Sequence, residues 1–445
     1  MDRAAGGRPI PGNRVRLLFD GPEIYPAMLE RIAGAERWIH LDSYIFRGDA
    51  TGRRFADALI ERAQAGVSVK ILTDWLGSLT TRHRFWRKLR NAGIQVRWFG
   101  PPQLLQLRNN LIRDHRKVLV VDGKAAVTGG HCIGNKWAGM PEKNRPPWRD
   151  TACAVDGPAA SVMDRAFAHL WQVTGDALGE EELAPEAPEC GGSAVRVVAG
   201  EPGGMRAARA TDLLLAGAAE KVWITDAYLV APRTIYQSII DGARHGLDMR
   251  LLVPGTSDLT HLQNLTRIGY RDLLAAGVRI FEWRGPMLHA KTMVVDGRWC
   301  RIGSTNLNFS SLLANYELDV VIEDAELGQA MEAQFRRDLD RCIEIGLGKP
   351  KGRRSRRKLA AVAPRATADG HRRRSIRERR GRAVVAVWAV MAGARRSILL
   401  QYSVLLASLG ILFLLFPRTM GWICAALALW FAISAWFESW GREPR

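Results

Sequence analysis

The sequence predicts an α/β protein with two similar lobes and a C-terminal helical hairpin that spans a membrane. Three observations carry that expectation. The stretch DHRKVLVVDG at 114–123 returns as LHAKTMVVDG at 288–297, β-rich runs alternate with helical patterns in both halves, and two charge-free apolar runs lie near the end of the chain. At 445 residues the chain exceeds one ordinary core and suggests two or three units.

The repeat extends beyond the decapeptide. WIHLDSYIF near residue 38 is echoed by WITDAYLV near 223, AQAGVSVKILTDW by ARHGLDMRLLVPG, and LRNAGIQVRWF by LLAAGVRIFEW. The blocks keep one order, which chance similarity between generic segments would not do, so the chain is an internal duplication. VKILTDW and MRLLV have the character of buried strands, and TGRRFADALIERAQAG has helical periodicity closed by Gly66. Such alternation predicts layered α/β units around a buried, largely parallel sheet. GDALGEEELAPEAPECGGS, rich in Pro, Gly and acids, reads as a linker. The expected organisation is a first lobe over 13–172, a linker over 173–195, a second lobe over 196–347, a basic juxtamembrane segment over 348–397 and a transmembrane hairpin over 398–437. No signal peptide is visible, and the first dozen residues, rich in Gly, Pro and Arg, read as disordered.

Each copy of the decapeptide reads as a strand, an Asp-Gly hairpin turn and a returning strand. Strand side chains alternate faces, so His115 and Lys117 point one way and Arg116 the other; the same holds for His289 and Lys291. In the second half Ser304 and Asn306 share a face by the same rule. One such set is half a site. Two facing sets could grip a phosphodiester: two Lys and an Asn on the non-bridging oxygens, one His attacking phosphorus and the other protonating the leaving oxygen. Imidazole suits both tasks because it titrates near neutrality. Asp122 and Asp296 complete the repeated motif and are counted with the catalytic set, although their Asp-Gly turns suit a hairpin-stabilising role better than a chemical one.

His115-x-Lys117-x4-Asp122-x6-Gly129-Gly130 and His289-x-Lys291-x4-Asp296-x6-Gly303-Ser304-x-Asn306 resemble the HKD motifs of the phospholipase D superfamily. LLFDGPEIYPAMLERIAGA, SYIF and TGGHCIG bring the resemblance closest to its bacterial cardiolipin synthase branch, in the form lacking N-terminal membrane helices. The resemblance implies two α/β/α lobes related by a pseudo-two-fold axis, a site between them, and no metal ion or other cofactor. It implies His115 as nucleophile, His289 as general acid and then base, Lys117 and Lys291 on the phosphate with Ser304 and Asn306, and a carboxylate orienting each imidazole, for which Asp150 and Glu317 are the candidates. The implied reaction passes a phosphatidyl group from one phosphatidylglycerol to another through a phosphohistidine, with loss of glycerol. Hydrolysis, transfer to a different alcohol, and nuclease activity remain alternatives. One departure stands out: Cys132 occupies the first-motif position where the family usually has Asn, and Asn135 is the nearest amide that could replace it.

Composition sets the surroundings. Six scattered cysteines form no C-x-x-C pair, which leaves neither a zinc spacing nor a disulfide framework. Net charge is +19, but residues 348–397 hold 17 Lys and Arg against Asp369 and Glu378, so the rest of the chain is nearly neutral and nucleic acid is not the expected partner. The runs Ile398–Phe416 and Met420–Phe437 each approach the ~20 residues that span a bilayer. Basic flanks outside the pair place both ends and both lobes in the cytoplasm, at a bacterial inner membrane, with the basic segment against anionic lipid headgroups. The apolar stretch PPQLLQLRNNLI at 101–112 is expected to lie on the bilayer beside the His115 strand.

Overall fold

The computed structural model describes residues 5–102, 112–183 and 187–347, together with Thr419, Gly421, Leu429 and Trp430. Most of the 101–112 stretch, the basic segment 348–397 and nearly all of the proposed hairpin 398–437 lie outside the described residues. Among the described residues no helix is long and apolar enough to cross a membrane.

Seven strands come from the first half: β1 (Ile10–Phe19), β2 (Trp38–Ser43), β3 (Ser68–Asp74), β4 (Gln95–Phe99), β5 (Lys117–Val121), β6 (Ala125–Gly129) and β7 (Thr151–Asp156). Eight come from the second: β8 (Ser193–Gly200), β9 (Lys221–Thr225), β10 (Asp248–Pro254), β11 (Arg279–Trp283), β12 (Thr292–Val295), β13 (Trp299–Gly303), β14 (Glu317–Glu323) and β15 (Cys342–Ile345). They form one sheet in the order β4-β3-β2-β5-β6-β7-β1-β8-β14-β13-β12-β9-β10-β11-β15. Counted outward from the β1–β8 seam, each strand of one half meets its repeat in the other, so a pseudo-two-fold passes through that seam. The seam is antiparallel, pairing Ile10 with Val195 and Asn13 with Ser193.

The expectation of a largely parallel sheet is corrected. Only β2-β3-β4 and β9-β10-β11 run parallel. The motif hairpins are antiparallel because a tight Asp-Gly turn can only reverse the chain, whereas parallel neighbours need a crossover helix, and the seam is antiparallel as well. Those crossovers are α2 (Ala50–Gln64) and α3 (His83–Asn91) in the first lobe, preceded by α1 (Asp20–Ala33) and followed by α4 (Pro158–Val173). The second lobe repeats them as α5 (Arg206–Ala216), α6 (Arg233–Arg244), α7 (Thr260–Ala276) and α8 (Ala325–Leu339). The N-cap of α2 is Asp49, whose carboxylate accepts the Gly52 N–H, and the chain leaves the helix through Gly66 at φ 92°.

Each lobe has its own core, and a third apolar cluster joins them: Val118, Ala126 and Cys153 from the first lobe pack in one cluster with Trp223, Cys300 and Leu318 from the second. One sequence expectation about order is also revised. Residues 5–12 are structured: Ala5 is buried and the Gly7 carbonyl accepts from Arg196. The acidic linker packs against the first lobe, where its buried Glu182 takes hydrogen bonds from Lys70 and Ser68 of β3.

Candidate active site

Both motif hairpins close through left-handed residues, Asp122 and Gly123 at φ 53° and 65°, Asp296 and Gly297 at φ 52° and 63°. The Asp122 carboxylate accepts the backbone N–H groups of Glu36, Arg37 and Trp38; Asp296 accepts those of Ala219, Glu220 and Lys221. Each aspartate thus ties its turn to the start of the neighbouring strand, β2 or β9. Six residues lie between it and the motif histidine, a reach of roughly 23 Å along an extended chain. Asp122 and Asp296, grouped with the catalytic set on sequence, thus bond backbone N–H groups at their hairpin turns.

At the other end of the strands the two lobes interlock. The His115 N–H donates to the Tyr316 carbonyl at 2.9 Å, and His115 Nδ1 lies 3.0 Å from both carboxylate oxygens of Glu317 in the second lobe. Reciprocally, the His289 N–H donates to the Arg149 carbonyl at 2.7 Å, and His289 Nδ1 lies 2.9 Å from Asp150 Oδ2 in the first lobe. Asp150 and Glu317 therefore each orient the histidine of the opposite lobe. A carboxylate on Nδ1 fixes the tautomer that leaves Nε2 free to act. Trp137 Nε1 also approaches His289 Nδ1 at 3.3 Å, but the shorter, charge-assisted contact to Asp150 governs the ring. Neither motif histidine is held by a carboxylate of its own lobe. Arg149 strengthens the seam with a buried ion pair to Asp338 of α8 at 2.8 Å.

Lys117 and Lys291 are almost wholly buried, at 1% exposure each, and each ammonium donates to the carbonyl of its own motif histidine. Asn306 is buried at 3% exposure; its Nδ2 donates a long hydrogen bond to Ser311 at 3.5 Å, and its Oδ1 has no partner among the described residues. Ser304 has other partners in the structure. It was expected on the phosphate, but its hydroxyl donates to Glu317 and accepts the Leu318 N–H, so it positions the carboxylate that positions His115. Asn135 does not replace the missing amide, since its Oδ1 accepts from Thr51 at the start of α2. Cys132 is buried, and burial raises its thiol pKa although Lys117 and Lys291 pull the other way. It is a neutral thiol where the second lobe has an amide.

Electrostatics follows from packing four cationic groups together out of water. Burial, and then the Lys291 ammonium, push the His289 pKa down to about 4, against the pull of Asp150. Burial lowers His115 as well, and Glu317 opposes the fall. Burial and Lys117 bring Lys291 down to about 8. Burial would raise Asp150 and Glu317, but their histidines outweigh it and hold both carboxyls below the usual range. An arriving phosphodiester anion reverses this balance, because its charge offsets the two ammoniums and favours protonation of one imidazole.

Sequence reading missed the aromatic walls. The Tyr44 ring stands edge-on to His115 with centroids 4.9 Å apart, and Tyr228 stands edge-on to His289 at 6.1 Å. Lys117 and Lys291 lie 5.2 and 5.8 Å from the same two rings. The signal was present, since the SYIF and AYLV blocks of the repeat each contain the tyrosine. Trp137 and Trp148 each lie 5.6 Å from His289 and come from the first lobe, which no periodicity announces. A buried carboxyl pair was also missed: Asp42 of β2 and Asp114 lie behind Lys117, where burial raises Asp42 to about 6.

Two duplicated lobes, each contributing His and Lys to one shared centre, define a phospholipase D-like enzyme. The chain belongs to the family described as "Cardiolipin synthase, PLD-like domain", whose model matches residues 28–171 and 213–339. It is 32% identical over 360 residues to cardiolipin synthase A of Pseudomonas aeruginosa, spanning 80% of this chain and 72% of that one. It is 30% identical over 359 residues to cardiolipin synthase 1 of Bacillus anthracis, spanning 78% and 70%. The crystal structure of phosphatidylserine synthase from Haemophilus influenzae Rd KW20 shares the fold, with a TM-score of 0.62 at 15% identity over 77% of this chain and 90% of that one.

Proposed function

We propose that this protein is a cardiolipin synthase, a phosphatidyltransferase that joins two phosphatidylglycerol molecules and releases glycerol. The observation that carries the reading is the crosswise hold on the two histidines, in a chain of this family. One motif imidazole attacks phosphorus through Nε2, the P–N bond forms, and the bond to the glycerol oxygen breaks as the other imidazolium protonates that oxygen. A hydroxyl of a second phosphatidylglycerol then gives its proton to the second imidazole and attacks phosphorus, and the P–N bond breaks. One phosphodiester replaces another, so the exchange needs no nucleotide. Lys117, Lys291 and Asn306 hold the non-bridging oxygens in both steps. Trp137 and Trp148 present an apolar wall beside His289 that limits water, which would otherwise turn transfer into hydrolysis.

The family resemblance makes His115 the nucleophile. Burial lowers His115 and holds His289 at about 4, so both imidazoles are unprotonated at neutral pH before the anion arrives and either could attack. Rapid quenching in denaturant at mildly alkaline pH, which spares the acid-labile P–N bond, followed by peptide mapping of the phosphatidylated histidine, separates the two. The bilayer is the proposed home of the substrate. The hairpin 398–437 would anchor the enzyme to the inner membrane with its lobes in the cytoplasm, and the basic segment would face anionic lipids.

Mass spectrometry of lipids after incubation of the purified protein with phosphatidylglycerol vesicles tests the function. Cardiolipin and free glycerol are expected. Phosphatidic acid alone would make the enzyme a hydrolase, and cleavage of DNA with no lipid product would make it a nuclease.

A further inference from the structure

We propose that the loop after β3 and the basic outer face of α3 form a docking surface for an anionic phospholipid bilayer beside the mouth of the active site. The proposal rests on the phosphatidyl-transfer reading and adds to it the surface through which the bilayer is met.

The loop displays two apolar tips, Leu76 and Leu79, at 51% and 54% exposure. A buried polar scaffold presents them: Asp74 accepts the N–H groups of Leu76 and Gly77, Thr73 and Ser78 share a hydrogen bond at 2.7 Å, and Thr81 donates to the Phe46 carbonyl. The same Asp74 carboxylate accepts the N–H of Asp114, the residue before His115. Gly77 lies so close to the Tyr44 carbonyl that a Cβ there would sit 2.0 Å from its oxygen, and the Tyr44 ring stands against His115. The leucines therefore sit on a rigid rim of the catalytic centre.

Next to them a cleft of about 560 Å³ is lined by Thr80, Thr81 and Phe85 and by the cations Arg47, Arg53, Arg82, Arg84 and Lys88. Its one acid, Asp49, already accepts the N–H groups of Gly52 and Asn135. Lys88 pairs with Asp57, whereas Arg82 and Arg84 are exposed and no hydrogen bond or ion pair engages their guanidinium groups among the described residues. In the counterpart region after β10, Leu259 at the start of α7 and Leu265 within that helix are also exposed, at 40% and 44%, but Arg267 nearby is neutralised by Glu282. Uncompensated positive charge contiguous with exposed leucines fits lipid, whose phosphates and acyl region reward both features. Nucleic acid would reward the arginines and leave the leucines unexplained.

The test uses the full chain with an environment-sensitive label on Leu79→Cys and the exposed Cys190 replaced by Ser. On phosphatidylglycerol vesicles the label is expected to report apolar surroundings, and on phosphatidylcholine vesicles to stay aqueous. Arg82→Glu with Arg84→Glu is expected to raise the phosphatidylglycerol fraction needed for the response about tenfold, while activity on short-chain, monomeric phosphatidylglycerol stays within about twofold and reports that the fold is intact. A label that stays aqueous on both vesicles, or a response indifferent to the double charge reversal, overturns the proposal. So does loss of oligonucleotide binding in the double variant with a label silent on vesicles, which would assign the cleft to nucleic acid. The label reads docking without turnover, so a protein that docks but makes no cardiolipin counts against the reaction alone.

Discussion

The two lobes share a fold and divide a task. Both present His-x-Lys at the end of a strand, both tie the hairpin turn with an aspartate, and both place a tyrosine against the histidine. Around that common frame the environments diverge. The first lobe has Cys132, the second Asn306 with its uncommitted amide oxygen. His115 sees Tyr44 and Glu317, whereas His289 sees Asp150, Tyr228 and two tryptophans. Duplication supplies two equal half-sites, but a two-step displacement needs one imidazole bare and the other protonated. The difference between the lobes is what allows one anion to protonate one ring and spare the other.

The largest effects test whether both halves are needed. His115→Ala and His289→Ala are each expected to lower transfer by about 10⁴-fold or more, and rapid-quench assays check this; near-normal turnover in either would break the equivalence. The crosswise hold comes next. Glu317→Gln should impair His115 and Asp150→Asn should impair His289, each by roughly 10³-fold in kcat with little change in KM. If the single variants disturb the histidine of their own lobe instead, as read by histidine NMR chemical shifts, the crosswise assignment fails. The amide asymmetry predicts a smaller effect: Asn306→Ala should lower kcat by about 10- to 100-fold and Cys132→Ala by less than about threefold. Equal losses would show that the thiol works as the amide does.

Stability carries the same comparison to acid pH. His289 titrates near 4 in the folded chain against an ordinary 6.5, so between those values the unfolded state binds more protons. That contribution is fully present above about pH 6.5, falls as pH drops toward 4, and reaches at most about 3 kcal/mol. The lowered Asp150 and Glu317 carboxyls act in the same direction at still lower pH. Urea unfolding across this range should show the loss, and His289→Gln should remove part of it. The smallest effects belong to the turns. Asp122→Ala and Asp296→Ala should each cost about 2 kcal/mol of stability while leaving kcat within about twofold; a large loss of kcat with unchanged unfolding would return these aspartates to the catalytic set.

Much of the site was legible in the sequence because strand alternation is local. His115 with Lys117, and His289 with Lys291, follow from a period of two, and the duplication shows in the order of its blocks. Asp150 and Glu317 were visible as carboxylates at strand starts, but their cross-lobe pairing depends on chain separations of 139 and 202 residues. Ser304 was grouped with Asn306 because alternation puts the two on one face without saying which partner is nearer. The parallel sheet was overestimated because the motif hairpins and their neighbouring strands pair antiparallel within each lobe, as does the β1–β8 seam between them.

By itself the sequence determined the duplication, the chemistry-bearing residues and the hairpins that carry them, since each depends on side-chain type and spacing along a short stretch. Only the tertiary structure decided that each histidine is held by the opposite lobe, that Ser304 serves Glu317, and that two tryptophans of the first lobe wall the histidine of the second. Those contacts arise where one continuous sheet brings the ends of distant strands together, and the pattern of neighbouring residues carries no record of that meeting.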